Sequence, residues 1–152
     1  MLRVNHVNIV VRDMERSLAF YVGLLGLRAT FEVELSGPWI ETITGLAGVS
    51  ARCVFCQPEG GGARFELLEY RAPAGEALPP TSLPNTPGLR HVAFEVDDVE
   101  AEYVRLSLAG VPFVSPPVAV PFGVAGAIRK RLCYARDPDG ALIEFADYRP
   151  TG

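Results

Sequence analysis

His6-Val-Asn-Ile-Val-Val-Arg-Asp13 and His91-Val-Ala-Phe-Glu-Val-Asp-Asp98 decide the fold, because the second stretch repeats the first. Each is a short strand that runs into an Asp able to cap a following helix. The helix after Asp13 is expected from Met14 to about Gly23, with Leu18, Tyr21 and Val22 on its apolar side. The helix after Asp98 is expected from Val99 to about Ala109, with Tyr103, Leu106 and Leu108. Gly26 and Gly110 lie just past the two, where glycine commonly ends a helix. The module ends repeat as well. Phe65-Glu-Leu-Leu-Glu-Tyr-Arg71 aligns without gaps to Ile143-Glu-Phe-Ala-Asp-Tyr-Arg149, so that Glu66 falls on Glu144, Glu69 on Asp147, Tyr70 on Tyr148 and Arg71 on Arg149.

Apolar stretches fill the space between these anchors. In the first module they lie at 27–35, 51–57 and 64–70, with Gly60-Gly61-Gly62 as a hairpin turn. In the second they lie at about 114–120, 130–136 and 141–148, with Asp137-Pro-Asp-Gly140 as the turn before the last strand. The Pro- and Gly-rich segment 72–88 reads as a linker. The expectation is an α+β protein of two tandem βαβββ modules, residues 1–71 and 89–152, sharing one compact domain of 152 residues. The stretch 35–48 is read as a loop that carries Glu41.

Strand alternation then nominates a site. Val7, Ile9 and Val11 share one face of the first strand, which puts His6 and Asn8 on the other. Val92, Phe94 and Val96 likewise leave His91 opposite. Glu66 and Glu144 are equivalent under the repeat, whereas Glu69 and Asp147, three residues on, face away. A carboxylate amid Leu and Phe on a strand is costly to bury unless a positive charge meets it, and a metal ion would meet it. A lone strand His is more often a hydrogen-bonded core residue than a ligand. Here the only two histidines of the chain occupy equivalent positions, each with an equivalent Glu. His6, Glu66, His91 and Glu144 are therefore the expected ligands of one divalent metal per chain. Two imidazoles and two carboxylates without thiolate suit Zn, Ni, Co, Mn or Fe with room for exogenous oxygens. They do not suit a closed structural zinc site.

Other features bound the function. A net charge of −4 argues against nucleic acid and anionic membrane as partners. No apolar run approaches the ~20 residues of a membrane span. The opening MLRVNHVNIVV shows no cleavage pattern, and three cysteines make no disulfide framework, so a cytoplasmic protein is expected. Cys53 and Cys56 lie three apart in a strand and so point to opposite faces, as buried apolar residues rather than a redox or zinc pair.

The repeat and the His…Glu…His…Glu pattern resemble the vicinal oxygen chelate superfamily, also called the glyoxalase / bleomycin resistance / dioxygenase superfamily. HVNIVVRDMERSLAFYVGLLGLRA resembles its opening segment, GLRHVAFEVDDVEAEYVRLSLAGV the opening of its second module, and RDPDGALIEFADY its closing hairpin. The layout is nearest to methylmalonyl-CoA epimerase-like and glyoxalase-like single-chain members. The resemblance implies a curved, cup-shaped mixed sheet with helices on its outer face and a metal at the residues matching His6, Glu66, His91 and Glu144. It also implies a homodimer. The epimerases resemble one another in a base followed by a Glu-Gln-Gly segment. Here 35–48 reads Leu-Ser-Gly-Pro-Trp-Ile-Glu-Thr-Ile-Thr-Gly-Leu-Ala-Gly, which offers only Glu41.

The expected function is a metal-dependent isomerase, epimerase or lyase acting on a small substrate that chelates the metal through neighbouring oxygens. Glu144 or Glu41 would serve as base. Asn8, Trp39, Phe122 and Arg129 are candidate substrate contacts, with Pro116–Gly126 a rim or lid and Arg129-Lys130-Arg131 able to hold a phosphate or carboxylate. The alternatives are a small-molecule (antibiotic) binding protein and an Fe(II) extradiol dioxygenase.

Overall fold

Strands β1 (His6–Val10), β2 (Arg28–Ser36), β3 (Ser50–Gln57) and β4 (Arg64–Ala72) form one sheet in the order β1-β4-β3-β2. Strands β5 (His91–Glu95), β6 (Val118–Ala119), β7 (Ile128–Arg136) and β8 (Leu142–Pro150) form a second in the same order, β5-β8-β7-β6. In both, the first strand runs parallel to the last and the other pairings are antiparallel. The computed structural model describes residues 1–79, 82–124 and 128–150, and it divides into two units, Met1–Ala77 and Leu78–Gly152. The α+β class and the βαβββ order of each module are as the repeat implies.

The repeat extends to how each helix is pinned. Asp13 accepts a hydrogen bond from the Arg16 N–H at 3.0 Å and starts α1 (Met14–Leu18). Asp98 accepts from Glu100 and Ala101 at 3.0 and 3.2 Å and starts α3 (Val99–Leu108). The first amide of each helix then donates across to the closing strand, Met14 N–H to Glu69 at 3.2 Å and Val99 N–H to Asp147 at 3.1 Å. That bond satisfies a donor the helix itself leaves unpaired. It also accounts for the two acids that alternation turns away from Glu66 and Glu144. α1 continues as a wider π turn, Ala19–Leu24, whose Phe20 and Tyr21 are buried. Tyr21 stacks on Phe65 in the first unit, while Phe94 and Phe113 meet Phe145 in the second.

Two elements differ from expectation. Residues 35–48 are not all loop, because α2 occupies Pro38–Thr44. Pro38 begins it and Gly45 closes it at φ +70°, where a Cβ would be strained. Its Ile40 packs with Val49, Ala51, Cys53 and Leu68 on the sheet face opposite α1, so the helices are not confined to one face of the sheet. The expected strand at 114–120 shrinks to Val118–Ala119. Pro116 and Pro117, which have no N–H to give a ladder, precede it. All three cysteines are free and buried.

Candidate functional site

Each unit brings one imidazole to one carboxylate at repeat-related positions. In the first, the parallel register sets Asn8 beside Glu66, so His6, two residues back, shares that face. His6 Nε2 stands 3.6 Å from Glu66 Oε2. In the second, Ala93 pairs with Glu144, and His91 Nε2 stands 3.3 Å from Glu144 Oε2. Two donors held by one ion at about 2.1 Å and ordinary angles lie roughly 3.0–3.4 Å apart. One pair has that spacing and the other is slightly wider.

Hydrogen bonding fixes which way His6 is wired. Arg64 Nη2 donates to Asn5 Oδ1 at 2.7 Å, and His6 Nδ1 lies 2.9 Å from the same oxygen. A guanidinium only donates, so that atom of Asn5 is the acceptor and His6 Nδ1 carries the proton. His6 Nε2 then presents its lone pair to a carboxylate oxygen unless a proton or a metal ion lies between them. A bond from the far ring nitrogen is also what orients a metal-ligating imidazole. The donor set of each half-site thus fits a divalent ion. Among the described residues, however, no three of the His, Cys, Asp and Glu side chains form a group that could hold one.

The two carboxylates are held differently. Glu66 accepts from Asn8 Nδ2 at 3.0 Å and from the Cys53 thiol at 3.6 Å, and Phe55 meets the His6 ring edge-on. Burial, with the Glu66 charge added, pushes the Cys53 thiol up to about 12. Glu144 is 4% exposed, and the cation expected to meet it is present in the chain itself: Lys130 Nζ donates to Oε1 at 2.5 Å. Burial pulls the Lys130 ammonium down, but the hydrogen bond and charge of Glu144 outweigh it and the net shift is upward. Lys130 also lies over the Tyr148 ring, and Tyr134 flanks His91. The sequence groups Lys130 with Arg129 and Arg131 as a set able to hold a phosphate or carboxylate, but strand alternation splits the run and Lys130 meets Glu144. Counting alternate residues back along β7 from Tyr134, which pairs with Glu144, finds it.

The remaining candidates are dispersed. Asn8 is bound to Glu66 itself. Glu41 lies in the first turn of α2 rather than in a loop, and its carboxylate accepts the Gly48 N–H at 3.0 Å. Trp39 and Phe122 are 54% and 69% exposed. Arg129 points to the face of β7 opposite Lys130, away from His91 and Glu144, because neighbours on a strand alternate. Of Pro116–Gly126, residues 125 and 126 lie outside the described residues, as do 80 and 81 of the linker.

Comparison with known proteins gives concordant results. The family model described as Glyoxalase/Bleomycin resistance protein/Dioxygenase superfamily matches residues 3–145. Methylmalonyl-CoA epimerase, mitochondrial, of Homo sapiens is 29% identical over 148 residues, 94% of this chain and 72% of the relative. Glyoxylase I 4 of Arabidopsis thaliana is 25% identical over 147 residues, 95% of this chain and 70% of the relative. Among solved structures, a glyoxalase family protein from Bacillus cereus superposes with a TM-score of 0.83 at 28% identity, covering 97% of this chain and 95% of its own.

Proposed function

The chain belongs to the Glyoxalase/Bleomycin resistance protein/Dioxygenase superfamily, and from that premise we propose that it holds a divalent metal centre. That centre would use His6, Glu66, His91 and Glu144 to bind a divalent metal and act on a small substrate with neighbouring oxygens. The reaction class is isomerase, epimerase or lyase. The observation that carries this is the pair of His Nε2–Glu Oε2 contacts, 3.6 and 3.3 Å, at equivalent positions of the repeat. A divalent ion there supplies a Lewis acid for a substrate carbonyl and for the negative charge that develops on its oxygen. Glu144 is the base of this reading. Lys130 holds its Oε1, and by loosening from the metal Glu144 would free Oε2, on the His91 side, to take a proton from the carbon beside the carbonyl. Glu41, committed to Gly48, is the weaker candidate. The same reading takes the protein to be a cytoplasmic homodimer, which light scattering would test. Among the described residues no helix is long and apolar enough to cross a membrane.

Elemental analysis of the purified protein beside His6→Ala and Glu144→Ala tests the proposal. The expected result is about one metal per chain, lost in both variants. Equal metal content in all three ends it. One observation favours a second reading, a binding protein for a small molecule: Lys130 balances the buried Glu144 charge without a metal. A binding protein would keep its ligand after chelator treatment, and the enzyme would lose turnover.

A further inference from the structure

The duplicated modules serve as each other's control, and one difference between them concerns charge on the helix-facing side of the sheets. In the first unit Arg71 donates two parallel bonds to Glu34, at 2.7 and 2.9 Å. Glu34 stands on β2 directly opposite Arg52, which bonds Glu15 and Glu32. Both arginines recur, Arg52 as Arg131 and Arg71 as Arg149. Glu34 does not: opposite Arg131 stands Ala119. No Asp or Glu occurs anywhere from residue 111 to residue 136. A third arginine, Arg129, is added on the same face opposite Arg149; its counterpart in the first module is Ser50, and there the register slips so that Ser50 pairs with Ala72 rather than with Arg71. Where the missing carboxylate would lie, a cavity of about 510 Å³ opens, walled by Arg129, Arg131, Arg149, Pro121, Phe122 and Gly123.

The acids on the far side do not fill this role. Asp147 reaches the cavity, but it is already bonded by the Val99 N–H and Arg131 and contacted by Arg149. Asp98 and Glu100, at the start of α3, lie 3.2–3.6 Å from Arg149 and Arg131. Arg129 has no hydrogen bond or ion pair among the described residues. A guanidinium carries five N–H donors in a planar fork. Arg129 offers all of its donors and Arg149 several, beside the apolar walls of Pro121 and Phe122.

We propose that this cavity is a binding site for the phosphate group of a small molecule, which takes the place of the Glu34 carboxylate lost from the second module. The site lies on the sheet face opposite His91 and Glu144, so it is independent of the proposed metal centre. Arg129, with the remaining donors of Arg149, offers a phosphate the forked N–H pattern in which Arg excels over Lys.

The test is calorimetric titration of the intact protein with inorganic phosphate, pyrophosphate and malonate at about 0.15 M salt, where loose surface attraction is screened. Saturable binding of phosphate or pyrophosphate at roughly millimolar strength or better is expected. Arg129→Ala should weaken it at least tenfold. Ala119→Glu should abolish it by restoring the carboxylate of the first module; residue 119 is exposed, so the fold has room for the change. Arg129→Glu repeats the charge reversal if Ala119→Glu melts early. His6→Ala should leave phosphate binding unchanged. The proposal is overturned if phosphate and pyrophosphate show no saturable binding, if Arg129→Ala leaves it intact, or if malonate binds as tightly as phosphate.

Discussion

Replacing Lys130 by methionine keeps the length of the side chain and removes its charge. The Glu144 carboxylate, 4% exposed, would then lose the only ammonium bonded to it. Removing one partner of a buried ion pair typically costs about 3–5 kcal/mol. Two features of the site reduce that figure. The Lys130 side chain is 18% exposed, and His91 remains 3.3 Å from the second oxygen of Glu144. The expected loss is about 2–3 kcal/mol, which at this chain length lowers the melting temperature by roughly 5–10 °C. The assay is thermal unfolding with a chelator present, run as a cycle with Glu144→Gln. Once the buried charge is gone, Lys130→Met should cost about 1 kcal/mol or less. Two results would refute the reasoning: a Lys130→Met melt within about 1 °C of wild type, or an equal loss in the Glu144→Gln background. In the proposed metal centre the same substitution removes a like charge beside the ion, so divalent metal should bind at least about tenfold tighter.

Other expectations follow from single contacts. Arg131, with the Val99 N–H, outweighs burial and holds the Asp147 carboxyl below its usual range, so its stabilising effect is full above about pH 4–5 and fades as pH falls through the lowered value. Asp147→Asn should therefore flatten the acid limb of a urea-unfolding stability profile, and an unchanged limb would count against the pair. Glu69→Ala removes the acceptor of the first amide of α1 and should cost about 1 kcal/mol by denaturant unfolding, with no change in metal content. Gly45→Ala meets no atom within 4 Å but keeps φ at +70°, so it too should cost about 1 kcal/mol, a conformational effect alone. Burial raises the thiols of Cys56 and Cys133 to about 11, and that of Cys53 to about 12, so native protein at neutral pH should resist iodoacetamide and label only on unfolding.

The architecture was legible because duplication doubles every signal. Each strand, cap and glycine of one module checked its counterpart, and period-2 alternation assigned faces to both. What a single module carries alone was harder to read. α2 has no counterpart among the described residues of the second unit, although Pro38 just inside its start and Gly45 just past its end were a readable pair. Residues 114–120 alternate well enough for a strand, but Pro116 and Pro117 limit the ladder. Lys130 and Arg129 are adjacent in the chain and on opposite sides of the sheet, and only the pairing of β7 with β8 says which of them meets Glu144. His6 and Glu66 came from the repeat. Asn5 and Arg64, which set the tautomer of His6, have no mark in the sequence that would single them out.

The closing strand of each module serves both sides of its sheet at once. Glu66 and Glu144 face the imidazoles, and three residues later Glu69 and Asp147 hold the helices. Sliding either strand by one position would exchange these roles, and sliding by two would move the imidazole-facing carboxylate and the helix anchor together. Few substitutions can therefore be absorbed there without disturbing both faces of the sheet together. A mutational scan should find β4 and β8 the least permissive stretches of the chain. New specificities should be sought on β2, β6 and the segments that follow them, where variation leaves the anchors in place.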